Sequence, residues 1–310
     1  MAEIRPTLYS SELQKMLYPD NSFMNRAVRE RGVAPDVKTI EKPVQGSIKK
    51  AKEGEPSMLP LQIYNPSDGK HSYDTTLLYC DPILIDSQSE LLVNYNKRQS
   101  KQEQQASELM TKAAAYTLNH WVPTNAVNLV KTTGTARASN VKGFSSNRKA
   151  VTKEDMLKIH NLMMRMNVSS LGGSWYGMVT PDMYTDLLGI SDFIDYYKTG
   201  NETGLRTGAV GRILGIDIFV RTNDNQHAGI LYNASDVPQD GDTDPTDALL
   251  AGGLFWNDRL VCIAQGTPQI CINENKAEYL GGTLLSCWMR HGADILRDDQ
   301  KGVIALLEAK

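Results

Sequence analysis

Residues 37–86 read VKTIEKPVQGSIKKAKEGEPSMLPLQIYNPSDGKHSYDTTLLYCDPILID, and no other stretch narrows the choice of fold as much. Two clusters, KEGEP and NPSDG, hold residue types suited to reversing a chain. The flanks are rich in valine, isoleucine, threonine and tyrosine, which favour strands. The stretch therefore predicts a long hairpin leaving the body of the molecule, with SYDTTLLYC as part of its return strand. A lone hairpin is marginal in water, so one this long has to lie on another surface.

The rest of the chain supplies that body. Residues 1–36 hold only a short amphipathic piece, SSELQKMLYP, and NSFMNRAVRERGVAPD, punctuated by Pro19 and Pro35. Ser100 and Glu103 match the S-x-x-E capping box, predicting a helix through KQEQQASELMTKAAAYTLNHW. Ala106, Leu109, Met110, Ala113, Thr117 and Trp121 form its apolar face, and Lys101, Gln104, Gln105, Glu108 and Lys112 its polar one. Pro123 closes it. Residues 131–150 are polar, basic and turn-rich, and are expected to be a connection.

Thr152 caps a second predicted helix whose stripe is Met156, Ile159, Met163 and Met164. Such a stripe fills a core or, as the other reading, forms a promiscuous groove. WYGMVTP predicts a buried strand, and Pro181 opens a short helix ended by Gly189. The last quarter, with GLFWNDRLVCIAQG, TPQICINEN, EYLGGTLLSCWMRHGADI and GVIALLEA, is mostly strand-like, and no internal repeat occurs.

At 310 residues, 41% hydrophobic and 22% charged, the chain can build a real core in about two domains, or one with excursions. A net charge of −3 argues against a protein whose main task is gripping nucleic-acid phosphates, though a local basic patch is compatible with it. The N-terminal MAEIRPTLYSSELQKML has no apolar run like that of a signal peptide, and no segment has the length of a membrane span. Cys80, Cys262, Cys271 and Cys287 form no C-x-x-C pair; buried free thiols in a reducing compartment are expected, with zinc or a disulfide framework as the alternatives.

The chemical motifs fall short one by one. In TGLRTGAVGRILGIDIFVRTN, Gly204, Gly208 and Gly211 lack the spacing and the Lys-Ser/Thr of a phosphate loop. The element after these glycines is a period-two strand, in which Ile216, Ile218 and Val220 alternate with Asp217, Phe219 and Arg221. GGSWYG misses the nucleophile elbow because Tyr176 occupies the last glycine position, and it precedes a strand where an elbow comes after one. Asp240, Asp242 and Asp244 begin like a calcium loop, but Pro245 and Ala251 stand where glycine and a bidentate glutamate belong. A solvated acidic loop over 236–247 is expected, with a weak cation site as the alternative. His71, His120, His160, His227 and His291 show no ligand spacing. No catalytic, cofactor or metal residues are predicted.

Four stretches, in order, resemble one family. DPILIDSQSELLVNYNKRQSKQEQQASEL looks like a passage from hairpin return into a spine helix. GMVTPDMYTDLLG, GAVGRILGIDIFVRTN and RHGADILRDDQKGVIALL resemble an axial-domain strand and helix, a glycine-led strand pair and closing strands. The layout is similar to the major capsid proteins of tailed bacteriophages, with the Hong Kong 97-type fold. The resemblance implies an α+β fold divided into an N-terminal arm (1–37), an E-loop hairpin (38–86), and a peripheral domain with the spine helix (87–130). An axial domain (131–260) and C-terminal strands returning to the peripheral domain (261–310) complete it.

It further implies a non-enzymatic subunit that assembles with itself as pentamers and hexamers into an icosahedral virion shell around double-stranded DNA, which it contacts weakly. Assembly in the host bacterial cytoplasm, a portal and a possible decoration protein belong to the same expectation, with no membrane partner. No long coiled-coil segment precedes the arm, which points to a separate scaffolding protein. Lys49, Lys50, Lys52, Glu53, Lys70, Arg206 and Arg212 are the candidate subunit-interface residues. One member cross-links its subunits through a lysine and an asparagine; the sequence singles out no partner for the hairpin lysines. Two alternatives remain: an encapsulin-like nanocompartment shell, and an α/β enzyme with a mobile glycine-rich lid.

Overall fold

The computed structural model describes residues 16, 18–30, 33–34, 37–46, 51, 53, 66–85, 97–190, 211–276 and 282–310. A 3-10 turn, Ser22–Asn25, leads into the short strand β1 (Val28–Arg29). The strands β2 (Thr39–Val44) and β3 (Gly69–Asp74) form a two-stranded antiparallel hairpin with Thr39 opposite Asp74 and Val44 opposite Gly69. β4 (Thr76–Tyr79) and β5 (Ile83–Ile85) precede the long helix α1 (Lys97–Trp121), and β6 (Leu129–Lys131) comes after it. A small ladder of β7 (Ala136–Arg137) and β8 (Arg148–Lys149) then leads to α2 (Lys153–Arg165), β9 (Trp175–Val179) and α3 (Pro181–Leu188).

The remaining elements are strands. They are β10 (Gly211–Ile213), β11 (Ile216–Val220), β12 (Leu231–Tyr232), β13 (Pro238–Gln239), β14 (Leu250–Asn257), β15 (Val261–Gln265), β16 (Gln269–Lys276), β17 (Gly282–Ile295) and β18 (Val303–Leu307).

Two sheets organise the body. β17 is the axis of a six-stranded sheet: β15 and β16 pair along one edge, β4 and β5 along the other, and β1 runs parallel to β15. The eight-stranded sheet runs β10-β11-β9-β14-β12-β13, with β18 beside β14 and β6 beside β18. The 261–310 segment is thus divided between the sheets, since β18 joins the second one. Every residue of β18 and β14 is buried. The sheet's two faces explain those unbroken apolar runs. Val303, Ala305, Leu307 and Trp256 enter one core with Leu118 and Trp121, while Ile304, Leu306 and Phe255 enter another with Met156, Ile159, Met183 and Leu187.

Helix α1 begins at Lys97, so Ser100 and Glu103 lie inside it and do not cap it. Its buried face also differs from the expected one. Gln105 is buried and Ala106 exposed, because the Gln105 amide donates to the Asp81 and Leu285 carbonyls at 3.1 and 3.3 Å. Two partners inside the fold make burial of a polar side chain acceptable. Thr152 caps α2 as expected, accepting from the Asp155 N–H while Asp155 accepts from the Thr152 N–H. Met156 and Met163 fill the core beneath α2, and Met164 is exposed. Leu214 and Gly215 take positive φ values of 49° and 82° in the two-residue turn between β10 and β11, the pair of values a type I′ hairpin requires. The connection at 131–150 is stitched down: Arg148 is fully buried against the Phe144 ring and donates to the Asp247 and Leu249 carbonyls.

Candidate functional site

Enzymes gather perturbed titratable groups in an open cleft. Among the described residues, the shifted histidines and thiols are sealed into packing. The Thr117 hydroxyl lies 2.7 Å from His291 Nε2, which on paper is a nucleophile beside a base. Both are fully buried, and the hydroxyl donates to the Ala113 carbonyl, so no substrate reaches them. Burial, aided by His120, lowers His291 to about 4. Burial and then the Arg221 charge lower His227 to about 4, and its Nδ1 accepts from the Gly229 N–H. The four cysteines are unpaired thiols. Burial and the adjoining Cys80 push Cys287 up to about 12, which makes it a poor nucleophile.

The most strongly coupled charges also hold the fold together. Arg137 on β7 donates to Asp186 on α3 at 2.8 Å and to Glu308 after β18 at 2.8 Å, and reaches Asp182 at 3.5 Å. Burial raises the Glu308 pKa against the pull of Arg137. Replacing Arg137 with methionine leaves a buried carboxylate facing two aspartates. With Arg137 itself partly exposed, urea denaturation at pH 7 should register a loss of about 2 kcal/mol, shrinking as pH falls and Glu308 takes up a proton.

Among the described residues no group of three or more His, Cys, Asp or Glu is arranged to hold a metal, and no helix is long and apolar enough to cross a membrane. The acidic loop spends its carboxylates internally. Asp240 accepts from Asn119, Asp242 pairs with Lys112, and Asp247 accepts from Ser145 and Ser146. A recess of about 380 Å³ between α2 and the β10–β11 turn is lined mainly by apolar side chains, with Lys153 and Arg212 at its edge.

The surface presents uncovered apolar sheet instead. Leu77, Tyr79 and Leu84 are exposed and stand opposite Arg290, Trp288 and Leu284 of β17, hence on one face of the six-stranded sheet. On β16, across β17 from β4 and β5, Ile270 and Ile272 are exposed as well, on the other face of the sheet, opposite Cys287 and Leu285. Apolar surface gathered on one sheet marks a place where another surface packs. The sequence holds no sign of the face that bears Leu77, because the apolar alternation of TPQICINEN belongs to the opposite one.

Of the candidate interface residues, Glu53, Lys70 and Arg212 are among the described residues, and Lys70 and Arg212 lie in different sheets. Lys49, Lys50, Lys52 and Arg206 lie outside the described residues, as do Gly204 and Gly208, and Glu53 is exposed. Lys70 on the hairpin pairs with Glu41 across it at 2.6 Å. Arg212 on the eight-stranded sheet pairs with Asp217 directly opposite at 3.3 Å and remains about half exposed (47%).

No family model and no curated protein matches the sequence. Solved structures do match along nearly their whole length. The capsid structure of the cyanophage P-SCSP1u superposes with a TM-score of 0.67 at 15% identity, covering 99% of this chain and 94% of that one. The capsid of Ralstonia phage GP4 gives 0.65 at 12% identity over 99% and 96%. A structure of Mycobacterium phage Che8 gives 0.61 at 14% identity over 99% and 98%. At such identities the likeness is one of fold: this chain has the mixed α and β fold found in phage capsid structures.

Proposed function

We propose that this chain is a major capsid protein, a structural subunit that associates with copies of itself to form the icosahedral shell of a tailed bacteriophage. The observation that carries the reading is the superposition on capsid subunits from end to end, with no large part of either chain left over. The physical character of the surface supports it. A two-stranded hairpin and a bare apolar sheet face are costly on a solitary protein and ordinary on one that buries them against its neighbours.

In this reading 1–37 is the arm, 38–86 the hairpin reaching over a neighbour, and 87–130 with the six-stranded sheet the peripheral part. The axial part is 131–260, and the 261–310 segment serves both sheets through β17 and β18. Pentamers and hexamers, a double-stranded DNA genome, a separate scaffold and portal, a possible decoration protein and assembly in the host cytoplasm complete the proposal. The net charge of −3 suits a wall that encloses DNA without gripping it.

Sedimentation velocity of the purified chain, alone and with a co-expressed scaffold candidate, tests self-association: megadalton particles support it, and a monomer at every concentration contradicts it. Arg212 is a proposed intersubunit contact. Reversing its charge would set two acids opposite each other at Asp217, so Arg212→Gln is the cleaner variant. It should lower particle yield by about tenfold while the unfolding midpoint of the monomer stays unchanged.

A further inference from the structure

His71 sits on β3 of the hairpin, and both of its ring nitrogens face carboxylates of the body. Nδ1 lies 2.8 Å from Asp298 Oδ1, and Nε2 lies 3.1 Å from Asp294 Oδ2. Asp294 belongs to β17, and Asp298 to the turn just after it. A neutral imidazole has one N–H donor and one acceptor lone pair, and an ionised carboxylate only accepts. Both contacts are hydrogen bonds at once only when the ring carries its second proton. With a single proton, one nitrogen turns a lone pair toward a carboxylate at hydrogen-bond distance, and that contact becomes repulsive.

We propose that His71 is a proton-operated latch that fixes the hairpin to the body of the chain, closed as imidazolium between Asp294 and Asp298 and loosened when the ring becomes neutral. The placement gives the latch its leverage. Among the described residues, the two-stranded hairpin is otherwise tied to the body by Tyr73 buried against Cys262 and Ala264, Lys42 paired with Glu30, and the Arg290 guanidinium donating to the Thr75 carbonyl at its base.

The surrounding charges do not supply a substitute. Lys42 stands directly opposite His71 on β2 and is held by Glu30 from the segment after β1. On the same strand, the Tyr73 hydroxyl is driven far above its usual range by burial and then by Cys262, and so stays neutral. Cys262 on β15 is pushed up by burial and donates its Sγ–H to the Asp294 carbonyl. In the turn, Arg297 is occupied by Asp299. An imidazole is the side chain whose charge changes near neutral pH, so the hairpin's attachment responds to pH. The latch lies within one chain and does not depend on the capsid reading.

Hydrogen exchange of the full-length, unassembled chain tests it, read as the protection of residues 69–74 after correction for intrinsic exchange, between pH 6.5 and 9. In the natural chain protection should fall by about threefold to tenfold as pH rises, since one charge-assisted bond to a half-exposed cluster is lost. His71→Gln should be weakly protected and flat across the range. Asp298→Asn is the decisive variant: the asparagine amide can donate to Nδ1, a neutral ring then satisfies both neighbours, and protection should be high and flat. Protection in the natural chain that is independent of pH, or the same pH dependence in all three proteins, overturns the proposal. The global unfolding midpoint, measured alongside, should change little in either variant.

Discussion

The unfolding free energy of the chain should fall by several kcal/mol as pH drops from 7 to 4, before most carboxylates have titrated. His227 and His291 are fully buried and held to about 4, His227 by burial and Arg221, His291 by burial and His120. An unfolded histidine titrates near 6.5. Between those values the unfolded chain binds more protons than the folded one, so stability is complete above pH 6.5 and drains away as pH falls through the window. The shift is worth on the order of 3 kcal/mol per histidine at the acid limit. Urea denaturation at half-unit pH steps reads this directly. The double variant His227→Asn, His291→Gln should flatten the curve between pH 6.5 and 4; an unchanged slope would mean that other groups drive it. The hairpin latch works in the opposite sense, so a local and a global probe should report opposite pH trends.

Trp256→Ala should destabilise the chain by about 3–5 kcal/mol, near the upper end for a single core truncation. Trp256 on β14 is fully buried with Phe23 from the arm at 6.2 Å, Trp121 from the end of α1 at 5.7 Å, Tyr176 from β9 at 6.1 Å and Phe219 from β11 at 6.5 Å. Its indole N–H donates to the Arg26 carbonyl at 2.8 Å, a tie between the arm segment and the eight-stranded sheet. The truncation therefore removes packing from four elements at once and frees the stretch around Phe23. Denaturant titration should show the loss, and limited proteolysis near residues 22–30 should quicken in parallel. Trp288→Ala, on the half-exposed face of β17, should cost less than about 1 kcal/mol in the unassembled chain. Equal losses at the two tryptophans would contradict the core described here.

Local chemistry was legible where a single stretch decides the outcome. The alternation in IDIFV, the Thr152 cap and the Pro181 start each became the expected element. Distant partners decided the rest. Ser100 and Glu103 match a capping pattern, yet α1 already runs from Lys97. Gln105 replaces Ala106 on the buried face because two carbonyls from elsewhere in the chain await its amide. The strand-like run after SYD is divided at Thr75, so Gly69–Asp74 stays in the hairpin while Thr76–Tyr79 joins β17. Nothing near His71 in the sequence announces aspartates more than two hundred residues away. The candidate interface residues rest on charge and on their place in the hairpin or the glycine-rich lead-in. Lys70 and Arg212 prove to have carboxylate partners within the chain, and the bare apolar face, which no charge pattern marks, is the stronger sign of a neighbour.

The central claim is that the chain is a building block whose exposed hairpin and sheet face are completed by other copies. Electron microscopy of particles from cells expressing the full chain with its scaffold candidate tests that most directly. The account predicts closed shells of pentameric and hexameric units, with Leu77, Tyr79 and Leu84 covered by a neighbouring copy. A stable solitary protein that leaves that face bare, or one that turns over a substrate as a monomer, would contradict it.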